Sequence, residues 1–321
     1  RRAAGIEYRQ AGQLKQLKAA REVLLSAGAH NSPKILMLSG IGPGDELQAH
    51  GVAVVHDLPG VGRNLHDHPD VIQVANAPQL TDLFGISPRT IAPLVKSLFE
   101  WRSARSGRLT TNFAEAGGFF RSSPHVARPD LQLHFVIGKL MDHGRKTTLG
   151  LGYSCHVCLL RPDSRGSVRL ASADPMAAPL IDPNFLGERS DVERMVLGFK
   201  ITRHILGQGA LAASGGRELP ASAAARTDQE IEQFVRNHAD TIYHPVGTCR
   251  MGNGALDVVD AQLRVRGVER LRVVDGSIMP RLVSGNTNAP IIMIAEKAAD
   301  MIRGAGSASN GAAARREPVF A

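Results

Sequence analysis

Among the twelve histidines of this sequence, His244 has the most informative surroundings, Tyr243-His-Pro-Val-Gly-Thr-Cys-Arg-Met-Gly252. An imidazole that follows a loop-forming break exchanges protons near neutrality and so suits general acid–base work. A solvated or structural histidine reads the same way, and residue type alone does not separate the two. A second stretch, Val274-Asp-Gly-Ser-Ile-Met-Pro-Arg-Leu-Val-Ser-Gly-Asn-Thr-Asn-Ala-Pro290, is a glycine-bracketed polar loop feeding a helix. Backbone amides at such a start suit an anionic or electron-rich ligand edge, and equally an ordinary capped turn. His66-Asp67-His68 pairs two imidazoles at i,i+2, a spacing able to converge on a metal from an extended loop. No further motif completes a ligand set, so no metal is expected.

Cys155-His-Val-Cys158 has CxxC spacing without a second pair, and Leu159 stands where c-type haem attachment needs histidine. Residues three apart on a strand point to opposite faces, so thiols that merely pack are expected. With three cysteines in all there is no disulfide framework, which fits a reducing compartment.

The elements that must position these residues follow from pattern and punctuation. Short extended segments are expected at 5–8, at a strand ending near Ser26, and at 52–55. A polar turn spans 9–12, and Ser32 with Pro33 is placed to start a helix over 34–39. A helix is expected at 91–102, strands at 130–136 and 151–160, and a hairpin edge at 164–170. Helical periodicity marks 191–207, and Thr227-Asp-Gln-Glu230 is a capping box opening a helix through Arg236. Between them, 207–225 reads as a loop or broken helix. Strands are expected over 258–265 and 271–275, then a helix over 289–303 and a flexible tail.

At 321 residues and 43% hydrophobic composition the chain can bury a substantial core. Its net charge is +8, but aromatics are only 4% and do not interleave with the basic residues. That pattern argues against a nucleic-acid groove. No apolar run reaches bilayer length and no signal segment opens the chain, so the expected location is cytoplasmic, with peripheral membrane association left open.

Several blocks together resemble one family. Leu25-Ser-Ala-Gly-Ala-His-Asn-Ser-Pro-Lys-Ile-Leu-Met-Leu-Ser-Gly-Ile-Gly-Pro43 resembles the second signature of the glucose–methanol–choline (GMC) oxidoreductases, and Gly60-Val-Gly-Arg-Asn-Leu-His-Asp-His-Pro69 resembles the loop after it. Arg165-Gly-Ser-Val-Arg-Leu170, Ile181-Asp-Pro-Asn184 and the two stretches around His244 and Asp275 follow in the family's order. The resemblance, closest to the choline and alcohol dehydrogenase branch, implies FAD as cofactor and an alcohol as substrate. It implies His244 as base toward the hydroxyl and Asn286 as the second catalytic position. As a neutral amide, Asn286 orients the oxygen or stabilises a developing alkoxide rather than removing the proton. Asp275 and Gly276 would lie toward the FAD pyrophosphate, Asn288, Ala289 and Pro290 at the isoalloxazine pyrimidine edge, and Ala29 and Asn64 in the flavin-domain wall. Tyr243 would be a substrate-side aromatic, whose ring face can attract a quaternary ammonium; primary alcohols and polyols are as compatible as choline.

The implied fold class is α/β and α+β: a partial FAD-binding Rossmann-like domain with a substrate domain built on an antiparallel or mixed sheet packed by helices. Its divisions are a partial FAD-binding domain at 1–70, a substrate domain at 71–240, active-site motifs returning to the FAD domain at 241–304, and a tail at 305–321. No G-x-G-x-x-G follows an initial strand, and Gly40-Ile-Gly-Pro-Gly44 does not replace it because it follows a helix. The expectation is a carboxy-terminal portion that needs an upstream FAD-binding segment or polypeptide partner, with strand edges and an apolar interface otherwise uncovered. The alternative is a non-catalytic GMC-derived remnant or interaction module.

Overall fold

The computed structural model describes residues 1–146 and 148–307. The chain opens on a hairpin, β1 (Gly5–Gln10) and β2 (Gln13–Lys18), reversed through Ala11 and Gly12 at φ 50° and 78°. Two left-handed residues give the tight turn whose twist matches antiparallel strands, so the reversal takes two residues rather than the four expected at 9–12. Next come β3 (Val23–Leu25), α1 (Gly28–Leu38), β4 (Ile41–Gly42), α2 (Gly44–Ala49), β5 (His56–Asp57) and β6 (Arg63–Leu65). The middle holds β7 (Pro69–Asn76), α3 (Ile91–Ala104), β8 (Ala114–Phe120), β9 (Leu131–Val136), β10 (Gly152–Leu159), β11 (Gly166–Arg169) and β12 (Leu180–Asp182). Then follow α4 (Arg189–Leu206), α5 (Gly209–Ala213), β13 (Arg217–Glu218), α6 (Pro220–Ala223), α7 (Asp228–His238), β14 (Asp240–Thr241), β15 (Leu271–Val273) and α8 (Asn288–Ser307).

The first and last parts of the chain share one core. β3 and β15 pair in parallel, and Leu25, Leu36 and Met37 pack in one cluster with Val246, Val273 and Ile294. Helix α1 begins six residues before the expected start at Lys34, and Ser32 is not its cap. A distant residue does that work: the Asp275 carboxylate accepts from the Gly28 amide at 2.9 Å and from the Ser32 hydroxyl at 2.5 Å. Pro33, inside the helix, has no N–H to offer the Ala29 carbonyl; the Thr248 hydroxyl donates to that carbonyl instead, at 2.6 Å.

Two expected strands are absent. Residues 52–55 form a loop tied back by donation from the Val52 amide to the Leu47 carbonyl, and the strand β5 starts only at His56. Residues 258–265 make isolated bridges only, because Asp260 accepts from the Gln262 and Arg264 amides and Leu263 turns left-handed at φ 64°. The stretch 207–225 is broken into α5, β13 and α6, and α8 runs to Ser307, inside the expected tail; 308–321 lie outside the described residues.

The largest sheet among the described residues is six-stranded and antiparallel, in the order β13-β7-β10-β9-β8 with β14 also on β7. Alternation gives it two unlike faces. Val71, Leu131, Leu133, Cys155, Val157 and Leu159 pack against Val192, Met195 and Phe199 of α4 and Ile231, Phe234 and Val235 of α7. Phe199 and Met195 are fully buried, each side chain contributing about 1.5–3 kcal/mol. A Cβ on Gly198 would stand 2.9 Å from Val157 Cγ2, so glycine there lets α4 lie close on the sheet. The opposite face carries Asp70, Gln132, His134, His156 and Cys158, with His156 facing His134 and Cys158 facing both Asp70 and Gln132 across the strands. The described residues thus combine a parallel strand pair packed by α1 and α8 with an antiparallel sheet packed by helices, an α/β and α+β arrangement.

The capping box at α7 is present: Thr227 accepts from the Glu230 amide at 3.3 Å and Glu230 accepts from the Thr227 amide at 2.8 Å. Thr227→Ala is expected to lower stability by about 1 kcal/mol, measured as a lower urea midpoint at unchanged slope. An unmoved midpoint would mean that tertiary packing alone holds the helix start.

Candidate active site

The loop after β6 and the segment after β14 meet over the polar face of the large sheet. Their junction is the Asp67 carboxylate, which accepts from the His68 amide at 2.8 Å, the His244 amide at 3.0 Å and the Thr241 hydroxyl. Burial pushes Asp67 up to about 6, against the pull of these hydrogen bonds. Asn64, left-handed at φ 63°, donates to the Gly247 carbonyl at 3.2 Å, and a Cβ on Gly247 would meet the Asn64 carbonyl oxygen at 2.5 Å. Glycine is therefore what allows the two segments to touch.

This clamp fixes the tautomer of His244. His68 is fully buried, and its Nε2 lies 3.1 Å from the Leu160 carbonyl and 3.0 Å from the Val283 carbonyl. Both partners are acceptors, so Nε2 carries the proton. Burial holds the His68 ring down to about 3, hence neutral, and its Nδ1 is an acceptor. The 3.0 Å contact between His68 Nδ1 and His244 Nδ1 is thus donated by His244, which leaves the lone pair of His244 on Nε2. Asn286 Nδ2 lies 3.4 Å from that nitrogen, and Asn286 Oδ1 accepts from Gln132 Nε2 at 3.2 Å. Burial first, then the neighbouring His134, hold the pKa of His244 below its ordinary 6.5, while Asp70 pulls it back. An unprotonated imidazole nitrogen and an amide N–H thus face one point, an arrangement able to take a hydroxyl proton and hold the oxygen left behind.

The other expected positions lie around this centre in different ways. The Asp275 carboxylate is spent on Gly28, Ser32 and the Ser277 amide at 2.8 Å, so it anchors the α1 start and offers a ligand little of its own. Gly276 is buried, and its carbonyl accepts from the Gly247 amide at 3.3 Å. Ala29 is buried in α1, and the Asn64 side chain is shared between Gly247 and His66 Nε2 at 3.0 Å. Asn288, Ala289 and Pro290 form the first turn of α8, where Asn288 and Ala289 are exposed and no acidic residue stands. Tyr243 is exposed at a strained φ of 69°, and its hydroxyl donates to the His143 carbonyl at 3.2 Å.

His66 and His68 take different partners and do not converge on one point. Cys155 faces the apolar core while Cys158 lies on the polar face. Burial pushes the Cys155 thiol up to about 12 and raises Cys158 and Cys249, so none is a ready nucleophile. Sequence reasoning missed Asp67, His68, Gln132 and Thr241 as parts of the centre. The His66-Asp67-His68 triplet was a visible signal with a metal reading only; Gln132 gives none, since its partner lies 154 residues away.

Two family models described as GMC oxidoreductase match the chain, an amino-terminal one over 1–70 and a carboxy-terminal one over 162–295. The alcohol dehydrogenase [acceptor] of Pseudomonas putida is 49% identical over 94% of this chain and 55% of its own length. The mitochondrial choline dehydrogenase of Homo sapiens is 47% identical over 94% of this chain and 51% of its own. Among solved structures, the formate oxidase of Aspergillus oryzae RIB40 superposes at a TM-score of 0.86 with 29% identity, covering 95% of this chain and 58% of that one. The chain spans about half the length of the curated relatives it matches.

Proposed function

From a chain that belongs to the GMC oxidoreductase family, we propose FAD-dependent oxidation of an alcohol to an aldehyde or ketone, with His244 and Asn286 handling the hydroxyl. The observation that carries this reading is the fixed tautomer of His244, with its Nε2 lone pair turned toward Asn286 Nδ2 at 3.4 Å. The substrate hydroxyl sits between the two, giving its proton to Nε2 while the amide N–H stabilises the alkoxide. When bound, FAD supplies the hydride acceptor at N5. The chain's own atoms fit such a group: α8 starts two residues beyond Asn286, with Asn288 and Ala289 exposed, no acid in the first turn, and the helix-start amides of these two residues suited to an electron-rich ring edge. Segments 1–70 and 241–304 form the FAD side and 71–240 the substrate side, with Tyr243 at the rim toward the substrate.

The test is flavin absorbance of the protein with FAD, mixed without oxygen with a primary alcohol or with choline. Bleaching of the flavin by either supports the reading and separates the substrates; FAD bound yet never reduced by any alcohol would support a non-catalytic role. Because His244 acts neutral, kcat/KM should fall on the acid side with a midpoint below the ordinary 6.5. Asn286→Asp sets a carboxylate beside Nε2 and favours the imidazolium, so that midpoint should rise by about 1–3 pH units, measured as a pH profile. A profile unchanged in the variant would remove Asn286 from the neighbourhood of the base.

A further inference from the structure

We propose that Asp70, His143 and His156 form a binding site for one divalent transition-metal ion, on the same sheet face as His244 but built from other residues. One possible ligand atom from each lies within 4.8 Å of the others. Asp70 Oδ2 is 2.6 Å from His156 Nδ1 and 3.8 Å from His143 Nδ1, and the three side chains are 0%, 5% and 4% exposed for Asp70, His156 and His143. Strand pairing accounts for two of them, since β7 and β10 set Asp70 and His156 diagonally on one face. His143 arrives from outside the sheet, on the turn Asp142–Gly144, where three successive residues are left-handed at φ 50°, 51° and 83°. Only the last is glycine, so the backbone holds a sparsely populated conformation that seats this ring over the carboxylate.

Asp70 and His156 form a close buried pair, whereas His143 faces the same carboxylate at 3.8 Å, beyond hydrogen-bond reach. Neither ring nitrogen of His143 has a hydrogen-bond partner among the described residues, and neither do Asp70 Oδ1 and His156 Nε2. Buried polar atoms are ordinarily partnered, and each neutral imidazole keeps one lone-pair nitrogen, so unpartnered atoms on all three side chains leave donor capacity for something the chain does not itself supply. Two imidazoles and a carboxylate form the donor set that Zn²⁺ and its first-row neighbours prefer, whereas Mg²⁺ and Ca²⁺ call for oxygen donors throughout. The turn is held in place from two directions, since Arg145 pairs with Asp142 and with Asp240, and Tyr243 holds the His143 carbonyl. A cavity of about 250 Å³, whose wall includes His143, Asp240 and Ile72, borders the site on the His143 side. An ion seated there would draw Asp70 off His156 and join the turn 142–144 to the sheet floor.

The test is Zn²⁺ titration into the full chain after exhaustive chelation, by calorimetry and by metal analysis after desalting. About one ion per chain is expected, with binding weakened at least about tenfold in His143→Ala and in His156→Ala and unchanged in His125→Ala, an exposed histidine elsewhere. Zn²⁺ should also raise the melting temperature of the unaltered protein but not of His143→Ala. Should His156→Ala fail to fold, the visible spectrum of the Co²⁺-loaded unaltered protein replaces it: nitrogen-ligated low-coordinate bands support the site, and an octahedral aqua-type spectrum overturns it. Absence of stoichiometric binding, or equal affinity in the His143 variant, also overturns it.

Discussion

In the FAD-loaded protein, His244→Asn is expected to slow flavin reduction by alcohol by about 10²–10⁴-fold, the range that a positioned general base contributes. Asparagine suits this question because its Nδ2–H stands near the place of Nδ1 and can still donate to His68 Nδ1, preserving the 3.0 Å link that orients the position. What it lacks is a basic nitrogen: a neutral amide does not accept the hydroxyl proton near neutrality. FAD content and melting temperature should therefore stay close to those of the unaltered protein while the rate collapses. The acid limb should go with it. In the unaltered protein, burial keeps the His244 pKa below 6.5, so the base is lost only as pH falls through that lowered value; without an imidazole no such limb remains. Rapid mixing without oxygen across a pH series measures both effects, and a rate within a few-fold of the original would strip His244 of the base role.

Two strands of the large sheet, β9 and β10, were legible because they are set by local pattern, whereas β7 and β8 were not among the expected strands. The strands near 130–136 and 151–160, helices α3, α4 and α7, and the Thr227 capping box all lie where periodicity and caps put them. The start of α1 was not legible, since its cap is a carboxylate 247 residues away in sequence. The stretch 258–265 has strand composition, yet Asp260 offers its backbone a local turn that wins over any ladder. In the candidate site, His244 and Asn286 stood out through the motifs around them, but the residues that give His244 its tautomer did not. His68 showed only a histidine spacing, and the carbonyls that fix its proton belong to Leu160 and Val283, far along the chain. Sequence shows which side chains are available; which nitrogen carries a proton depends on backbone atoms brought in by the fold.

That dependence makes His68 the second position at which a large effect is expected. His68→Leu fills the volume but leaves the Leu160 and Val283 carbonyls and the His244 Nδ1–H without partners in a buried place. At about 1–3 kcal/mol for each unsatisfied group, with some relieved by rearrangement, the protein should lose roughly 2–4 kcal/mol of stability. The rate effect is separate from that loss. With no acceptor opposite Nδ1, His244 is free to take the other tautomer or to turn its ring, and the lone pair at Nε2 facing Asn286 is no longer guaranteed. Under conditions where both proteins are folded, kcat should fall about 10–100-fold while KM for the alcohol changes little, since His68 is buried behind His244 and acts on substrate only through it. His68→Asn supplies the control. Its Oδ1 stands near the place of Nδ1 and can accept from His244, so it should recover about tenfold of the lost rate even if the fold remains weakened. Were the leucine and asparagine variants to lose kcat in proportion to their stability alone, His68 would be a packing residue, and the tautomer of His244 would need another cause.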